Sequence, residues 1–152
     1  MERRDKINYY LDIAQAVSQR GTCLRKLYGA VIVKNDEIIS TGYVGAPRGR
    51  CNCTDLGYCI RSRLNIPRGE RYELCRSVHA EANAITKIAR SNNSSDGATM
   101  YVTASPCIEC AKLIIQAGIK RVVYSEHYRL EDGIELLKRA GIEVVFVDTS
   151  EK

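Results

Sequence analysis

"VHAEANAITKIA" (78–89), "ATMYVTAS" (98–105) and "CIECAKLIIQAG" (107–118) decide the fold. The first segment is expected to be a helix, because Val78, Ala82, Ile85 and Ile88 share one face. The second is short and apolar and stops at Pro106, the mark of a buried strand. The third returns to helical spacing and ends at Gly118, a residue suited to the position just past a helix. The alternation continues through "IKRVVYSE" (119–126), a strand, and "LEDGIELLKRAG" (130–141), a helix with another terminal Gly. "IEVVFVD" (142–148) is the last strand. Strands joined by crossover helices pair in parallel.

Upstream, Ile7, Tyr10, Leu11, Ala14 and Val17 recur at steps of three and four, so residues 5–19 read as an amphipathic helix ended by Gly21 and Thr22. "GAVIVK" (29–34) and "EIISTGYV" (37–44) flank Asn35-Asp36, a hairpin with a two-residue turn. The expected class is therefore α/β: a three-layer α/β/α arrangement around a five-stranded mixed sheet, with helices on both faces. The antiparallel hairpin lies to one side of it. The 152 residues suffice for one domain with a full core, and no repeat or second domain is visible.

Residues 45–77 break the pattern. They hold Pro47, Pro67, seven Arg and the cysteines 51, 53, 59 and 75, with turn signals and little periodicity. So long an irregular stretch inside a compact domain calls for a special role: a lid, a metal-stapled insert or a partner surface. Leu56, Tyr58, Ile60, Leu64, Ile66, Tyr72 and Leu74 argue that it packs.

Composition narrows the function classes. No apolar run approaches the ~20 residues of a membrane span. Met1-Glu2-Arg3-Arg4-Asp5-Lys6 leads into no signal-peptide core, so a cytoplasmic location is expected. There the seven Cys serve as metal ligands or buried thiols, not disulfides. A net charge of +5 suits an anionic substrate, and equally a plain solvated surface. With no Trp and one Phe, no aromatic-rich stripe for nucleic acid is present, and a nucleic-acid partner is not expected.

The chemistry sits at the ends of the deciding stretch. His79-Ala80-Glu81 stands at one end and Pro106-Cys107-Ile108-Glu109-Cys110 at the other. A lone C-x-x-C reads equally well as a redox pair, and a lone His as a structural one. Together, His79, Cys107 and Cys110 supply three of the four tetrahedral ligands of zinc and leave one position for water. Zinc lowers the pKa of such a water from 15.7 to roughly 7. Glu81, two residues from the His, is placed to move its protons. Both motifs fall at helix starts, where partial positive charge favours thiolates, and Pro106 suits a helix start, which has no need of its N–H.

H-x-E…P-C-x-x-C is the pattern of zinc nucleobase deaminases. The chain resembles the cytidine/deoxycytidylate deaminase superfamily over nearly its whole length. "SVHAEANAI" and "SPCIECAKLI" are close to the wording of its dCMP deaminases. Competence-operon proteins of DNA uptake resemble the same family. The resemblance implies the cytidine deaminase-like fold, a catalytic Zn2+, and hydrolytic deamination of dCMP to dUMP and ammonia, supplying thymidylate synthesis. Glu81 would carry protons to ring N3 and to the departing amine. The 45–77 insert favours dCMP deaminases over free-cytidine and tRNA adenosine deaminases, which lack it. Alternatives are dCTP or dual dCMP/dCTP deamination, tRNA adenosine deamination, and a zinc-stabilised nucleic-acid-binding or DNA-uptake module; intact Glu81 argues against the last.

Substrate contacts are expected from Tyr43, Arg48, Ala80, Ser105 and Tyr128. Ser105 would turn its carbonyl toward the leaving amine, and Tyr128 would stack on the base. Arg48, Arg50 and Arg129 are phosphate candidates by charge, Arg48 first, and His127 belongs near the rim. Gly42-Tyr43-Val44-Gly45 departs from the Gly-Tyr-Asn-Gly usual in dCMP deaminases, which removes a hydrogen-bonding side chain from nucleotide recognition. Ile108 likewise stands where Asn often follows the first motif Cys. The resemblance also implies a homo-oligomer, commonly a hexamer, with dCTP and dTTP as allosteric effectors. Some phage enzymes of this kind carry a second zinc, with ligands matching Cys23 and Cys53. Cys59 and Cys75 would complete a structural site here, leaving Cys51 free or exchangeable with Cys53. The alternative is that these are buried apolar thiols.

Overall fold

The computed structural model describes residues 2–127 and 131–148. Helix α1 (Lys6–Ser18) opens on Asp5, whose carboxylate accepts the Asn8 backbone N–H at 3.0 Å and satisfies one of the first-turn donors. Strands β1 (Gly29–Lys34) and β2 (Glu37–Tyr43) form the expected hairpin. Its turn residues Asn35 and Asp36 take φ of 53° and 61°, the paired left-handed conformation that matches strand twist in two-residue hairpins. Tyr10 and Lys6 of α1 both bond the Asp36 carboxylate, tying helix to turn.

The insert is more ordered than its composition suggests. It contains two single-turn helices, α2 (Cys53–Leu56) and α3 (Ile60–Arg63), and a 3-10 turn at Tyr72–Leu74. A bridge between Gly45 and Val78 closes its base, with N–H···O distances of 2.7 and 3.2 Å. Periodicity fails there because one-turn helices are too short to show a repeat. Next come α4 (Ala80–Ala89), β3 (Thr99–Val102), α5 (Ile108–Gln116), β4 (Arg121–Tyr124), α6 (Asp132–Arg139) and β5 (Glu143–Phe146). Gly118 and Gly141, at φ of 77° and 83°, stop α5 and α6 as expected.

The sheet is five-stranded and mixed, in the order β2-β1-β3-β4-β5. β1 runs antiparallel to both neighbours, while β3, β4 and β5 run parallel. Each crossover uses one helix and moves the same way across the sheet, so α4, α5 and α6 share one face. Their core holds Ile32, Met100, Val102, Ala111, Ile114, Val122 and Leu137. α1 covers the opposite face through Tyr10, Leu11 and Ala14 against Val31, Tyr101 and Val123. The architecture is the expected three-layer α/β/α. Among the described residues, no helix is long and apolar enough to cross a membrane.

Two glycines set how closely the helices approach. A Cβ on Gly42 of β2 would come within 2.5 Å of the Ala84 backbone nitrogen and would collide with the Ala80 carbonyl. A Cβ on Gly133 of α6 would lie 2.9 Å from the Cys107 carbonyl carbon and 3.0 Å from its oxygen. Bare backbone at both places lets α4 lie on β2 and α6 lie against the start of α5.

Candidate active site

Helix α4 begins one residue after His79, which takes an extended conformation (φ −66°, ψ 153°) as its N-cap. Asn83 fixes this start by donating to the Tyr43 carbonyl at 2.8 Å and the Val78 carbonyl at 3.2 Å. Lys87 and Ser40 add bonds to the Thr41 and Ala84 carbonyls. Cys107 is the N-cap of α5, and its sulfur accepts the Cys110 N–H at 3.5 Å. Helix periodicity then turns Cys110 toward the same side. Two helix N-termini thus converge, and their partial positive charge favours anionic sulfur between them.

His79 Nδ1 lies 3.5 Å from Cys107 Sγ and 3.4 Å from Cys110 Sγ. Zn–S bonds near 2.3 Å and Zn–N bonds near 2.0–2.1 Å at tetrahedral angles imply N···S edges of about 3.6 Å. The donor set and its spacing therefore fit zinc. Among the described residues, this is the group of metal-ligating side chains whose ligand atoms all lie within 4.8 Å of one another.

The electrostatics agree. The hydrogen bond from Cys110 holds the Cys107 thiol down to about 4, with His79 adding to the effect against the pull of burial. Cys110 moves the other way, raised by the same bond and by burial. The pair therefore holds its first negative charge on Cys107. Burial pulls His79 down, but the Cys107 bond and the charges of Glu81 and Cys107 outweigh it, so its pKa rises. Glu81, 6% exposed, is pushed up to about 7 by burial, against the opposing charge of His79.

Above these groups opens a cleft lined by His79, Glu81, Cys107, Val44, Ala104 and Ser105. Ser105 is buried there, with its N–H on the Glu126 carbonyl at 2.9 Å. Val44 gives the wall an apolar face, 4% exposed. Ala80 is buried beneath, against Gly42. Two expected contacts are elsewhere. Tyr43 does not line the cleft; its ring faces the Arg20 guanidinium at 5.9 Å and the Lys87 ammonium at 5.6 Å. Arg48 is exposed in the loop after β2, away from the cleft, and Arg50 lines a separate hollow of the insert. Tyr128 and Arg129 lie outside the described residues. His127 is exposed, stacked on Phe146 at 4.1 Å and 3.2 Å from Glu131.

The expected four-thiolate second metal site is not assembled among the described residues. Cys53 faces Ser77 at 3.7 Å from the start of α2. Cys59 caps α3 and bonds Ser62. Cys23 and Cys75 line the cleft wall, and Cys51 is exposed. Cys75 lies near Cys23 at the cleft wall, whereas Ser77 and Ser62 engage Cys53 and Cys59 at the starts of α2 and α3, so the four sulfurs do not gather into one site.

Sequence reading missed the cleft's basic wall. Arg25, Lys26, Arg61 and Arg68 line it with Tyr28 and Tyr72. Lys26 pairs with Glu126, and Arg68 donates to the Tyr28 hydroxyl at 3.3 Å. These residues come from two segments far apart in the chain, so no local spacing announced them; only the arginine richness of 45–77 hinted at it.

Residues 4–126 match the model of the cytidine and deoxycytidylate deaminase zinc-binding region. The deoxycytidylate deaminase of Mycobacterium phage D29 is 44% identical over 82% of this chain and 97% of its own. ComE operon protein 2 of Bacillus subtilis (strain 168) is 38% identical over 99% of this chain and 76% of its own. The crystal structure of dCMP deaminase from cyanophage S-TIM5 in complex with dCMP and dUMP superposes with a TM-score of 0.77 at 35% identity. It spans 96% of this chain and 100% of that one.

Proposed function

The chain belongs to the cytidine and deoxycytidylate deaminase zinc-binding family, and from that premise we propose that it is a deoxycytidylate deaminase. It hydrolyses the exocyclic C–N bond of dCMP, a cyclic amidine, giving dUMP and ammonia. Its dUMP feeds reactions that build thymidylate. The observation that carries this reading is Glu81: a buried carboxyl with its pKa near 7, two residues from His79, on the floor of a basic cleft. Named deoxycytidylate deaminases at 37–44% identity support the substrate.

His79, Cys107 and Cys110 would hold the zinc. When bound there, zinc supplies Lewis acidity and brings the pKa of water from 15.7 down to roughly 7. The chain's own groups do the rest. Glu81 takes a proton from the attacking water and passes it to ring N3 while oxygen adds at C4. Glu81 then takes the remaining proton from the hydroxyl added at C4 and gives it to the amine, and as the C4 carbonyl forms the C–N bond breaks and ammonia leaves. A carboxyl near 7 can both accept and donate at neutral pH, the condition for efficient general acid–base work. The N-termini of α4 and α5 stabilise the two thiolates. Ser105, buried at the cleft wall, presents its carbonyl to the amine, and Val44 shields the base from water.

The enzyme works as a homo-oligomer, a reading supported by exposed Ile108 and Leu113 on α5 and Leu24 and Leu27 before β1. A hexamer with dCTP and dTTP as effectors follows from resemblance. A cytoplasmic setting suits thiols that must stay reduced to bind metal. A product assay across dCMP, dCTP, deoxycytidine and cytidine tests the assignment. dUMP with one ammonia per turnover, and dCMP as the best of the four, is expected; equal efficiency on deoxycytidine would refute the nucleotide assignment.

A further inference from the structure

We propose that Arg61 anchors the 5′-phosphate of the substrate and sets the preference for a nucleotide over a nucleoside. The proposal rests on the dCMP reading above. Arg61 sits on α3, lines the same cleft as His79 and Glu81, and is only 6% exposed. Burying a guanidinium is costly unless an anion meets it. Among the described residues no carboxylate pairs with it. Its Nε donates to the Glu70 carbonyl at 3.1 Å, which fixes the plane of the fork but neutralises nothing. Its neighbour Cys75 is a thiol whose pKa burial raises, so it provides no counter-charge at neutral pH.

The position suits a phosphate. The Arg61 guanidinium lies 4.5 Å from the Tyr72 ring, and the Tyr72 ring meets the His79 ring edge-on at 4.8 Å. The guanidinium and the metal-ligand imidazole therefore contact the same aromatic ring on one cleft wall. A base reacting beside His79 and Glu81 leaves the rest of its nucleotide in that cleft, within which Arg61 is the buried cation. The other cleft cations are worse placed for this task. Lys26 is already paired with Glu126, and Arg25 and Arg68 are exposed, where water weakens their pull. Arg also offers two parallel N–H groups to phosphate oxygens, which a Lys cannot.

The test compares dCMP with deoxycytidine in the wild type, Arg61→Gln and Arg61→Lys, each with zinc content matched. Arg61→Gln should lower kcat/KM for dCMP by roughly ten- to a hundredfold, the worth of hydrogen bonds to a charged group, and leave that for deoxycytidine unchanged. Arg61→Lys should fall between, and it keeps the charge should the Gln variant fail to fold. Inorganic phosphate should raise the melting temperature of the wild type more than that of either variant. An equal fall on both substrates would make Arg61 a structural prop of the insert and overturn the proposal. So would a variant that kept the full preference for dCMP or the full stabilisation by phosphate. A wild type indifferent to the phosphate of dCMP would instead refute the nucleotide reading itself.

Discussion

Gly42 of β2 and Ala84 of α4 touch backbone to backbone: a Cβ on Gly42 would reach to 2.5 Å from the Ala84 nitrogen. The contact places the start of α4, and His79 and Glu81 ride on that start. Geometry at the metal is therefore set partly by a missing methyl on the edge strand.

Gly42→Ala should push α4 outward. Overpacking of this kind typically costs 1–3 kcal/mol. Urea titration should show that loss, and a competing chelator should strip zinc from the variant at lower concentration than from the wild type. Unchanged zinc retention would mean that α4 is positioned by something else.

Gly133 plays the matching part for Cys107, since its Cβ would press on the Cys107 carbonyl. Gly133→Ala should weaken zinc retention as well as stability. Gly141→Ala serves as the comparison. Its φ of 83° makes any Cβ strained, yet nothing lies within 4 Å, so it should lose stability and keep its zinc affinity. Equal zinc loss in both variants would reduce the effect to general destabilisation.

Zinc uptake should release protons and strengthen with pH. Cys110 and His79 both have raised pKa values. A ligand with a raised pKa keeps its proton to higher pH, and the metal must displace it. Affinity is thus weakest in acid and climbs as pH rises through the His79 and then the Cys110 titration. Calorimetry in buffers of differing ionisation enthalpy counts the released protons. Affinity independent of pH between 6 and 8 (roughly the His range) would contradict the assignment of His79 as a ligand.

The fold was legible wherever periodicity ran long enough to register. α4, α5 and α6 showed a helical repeat, and β1 came out as "GAVIVK" without adjustment. Helix starts were read one or two residues early. His79 and Cys107 look helical by spacing, but as N-caps they are extended, a state that side-chain pattern does not encode. The metal site was legible because its ligands cluster in two short motifs. The anion wall was not, because Arg25, Lys26, Arg61 and Arg68 meet only through the folding of the insert over the loop before β1. Arg48 stood out by its neighbours in sequence, and sequence neighbours do not decide which arginine is buried. Cys23, Cys53, Cys59 and Cys75 misled for the same reason: composition counts thiols without saying which of them meet.

Asp5→Ala should remove the cap of α1 at about 1 kcal/mol, visible as a lower denaturation midpoint. Turnover per folded, zinc-loaded molecule should not change, because α1 lies across the sheet from the cleft. A fall in kcat with stability intact would contradict that separation of cap and cleft.

The central claim is that Glu81 carries the protons of a zinc-dependent deamination. The most direct measurement is dCMP turnover by Glu81→Ala, with zinc content determined on the same sample. The account predicts one zinc per chain, as in the wild type, and a kcat lower by at least ~10²–10⁴-fold, the usual share of general acid–base catalysis. A variant that holds its zinc and still deaminates dCMP at a near-normal rate would contradict it.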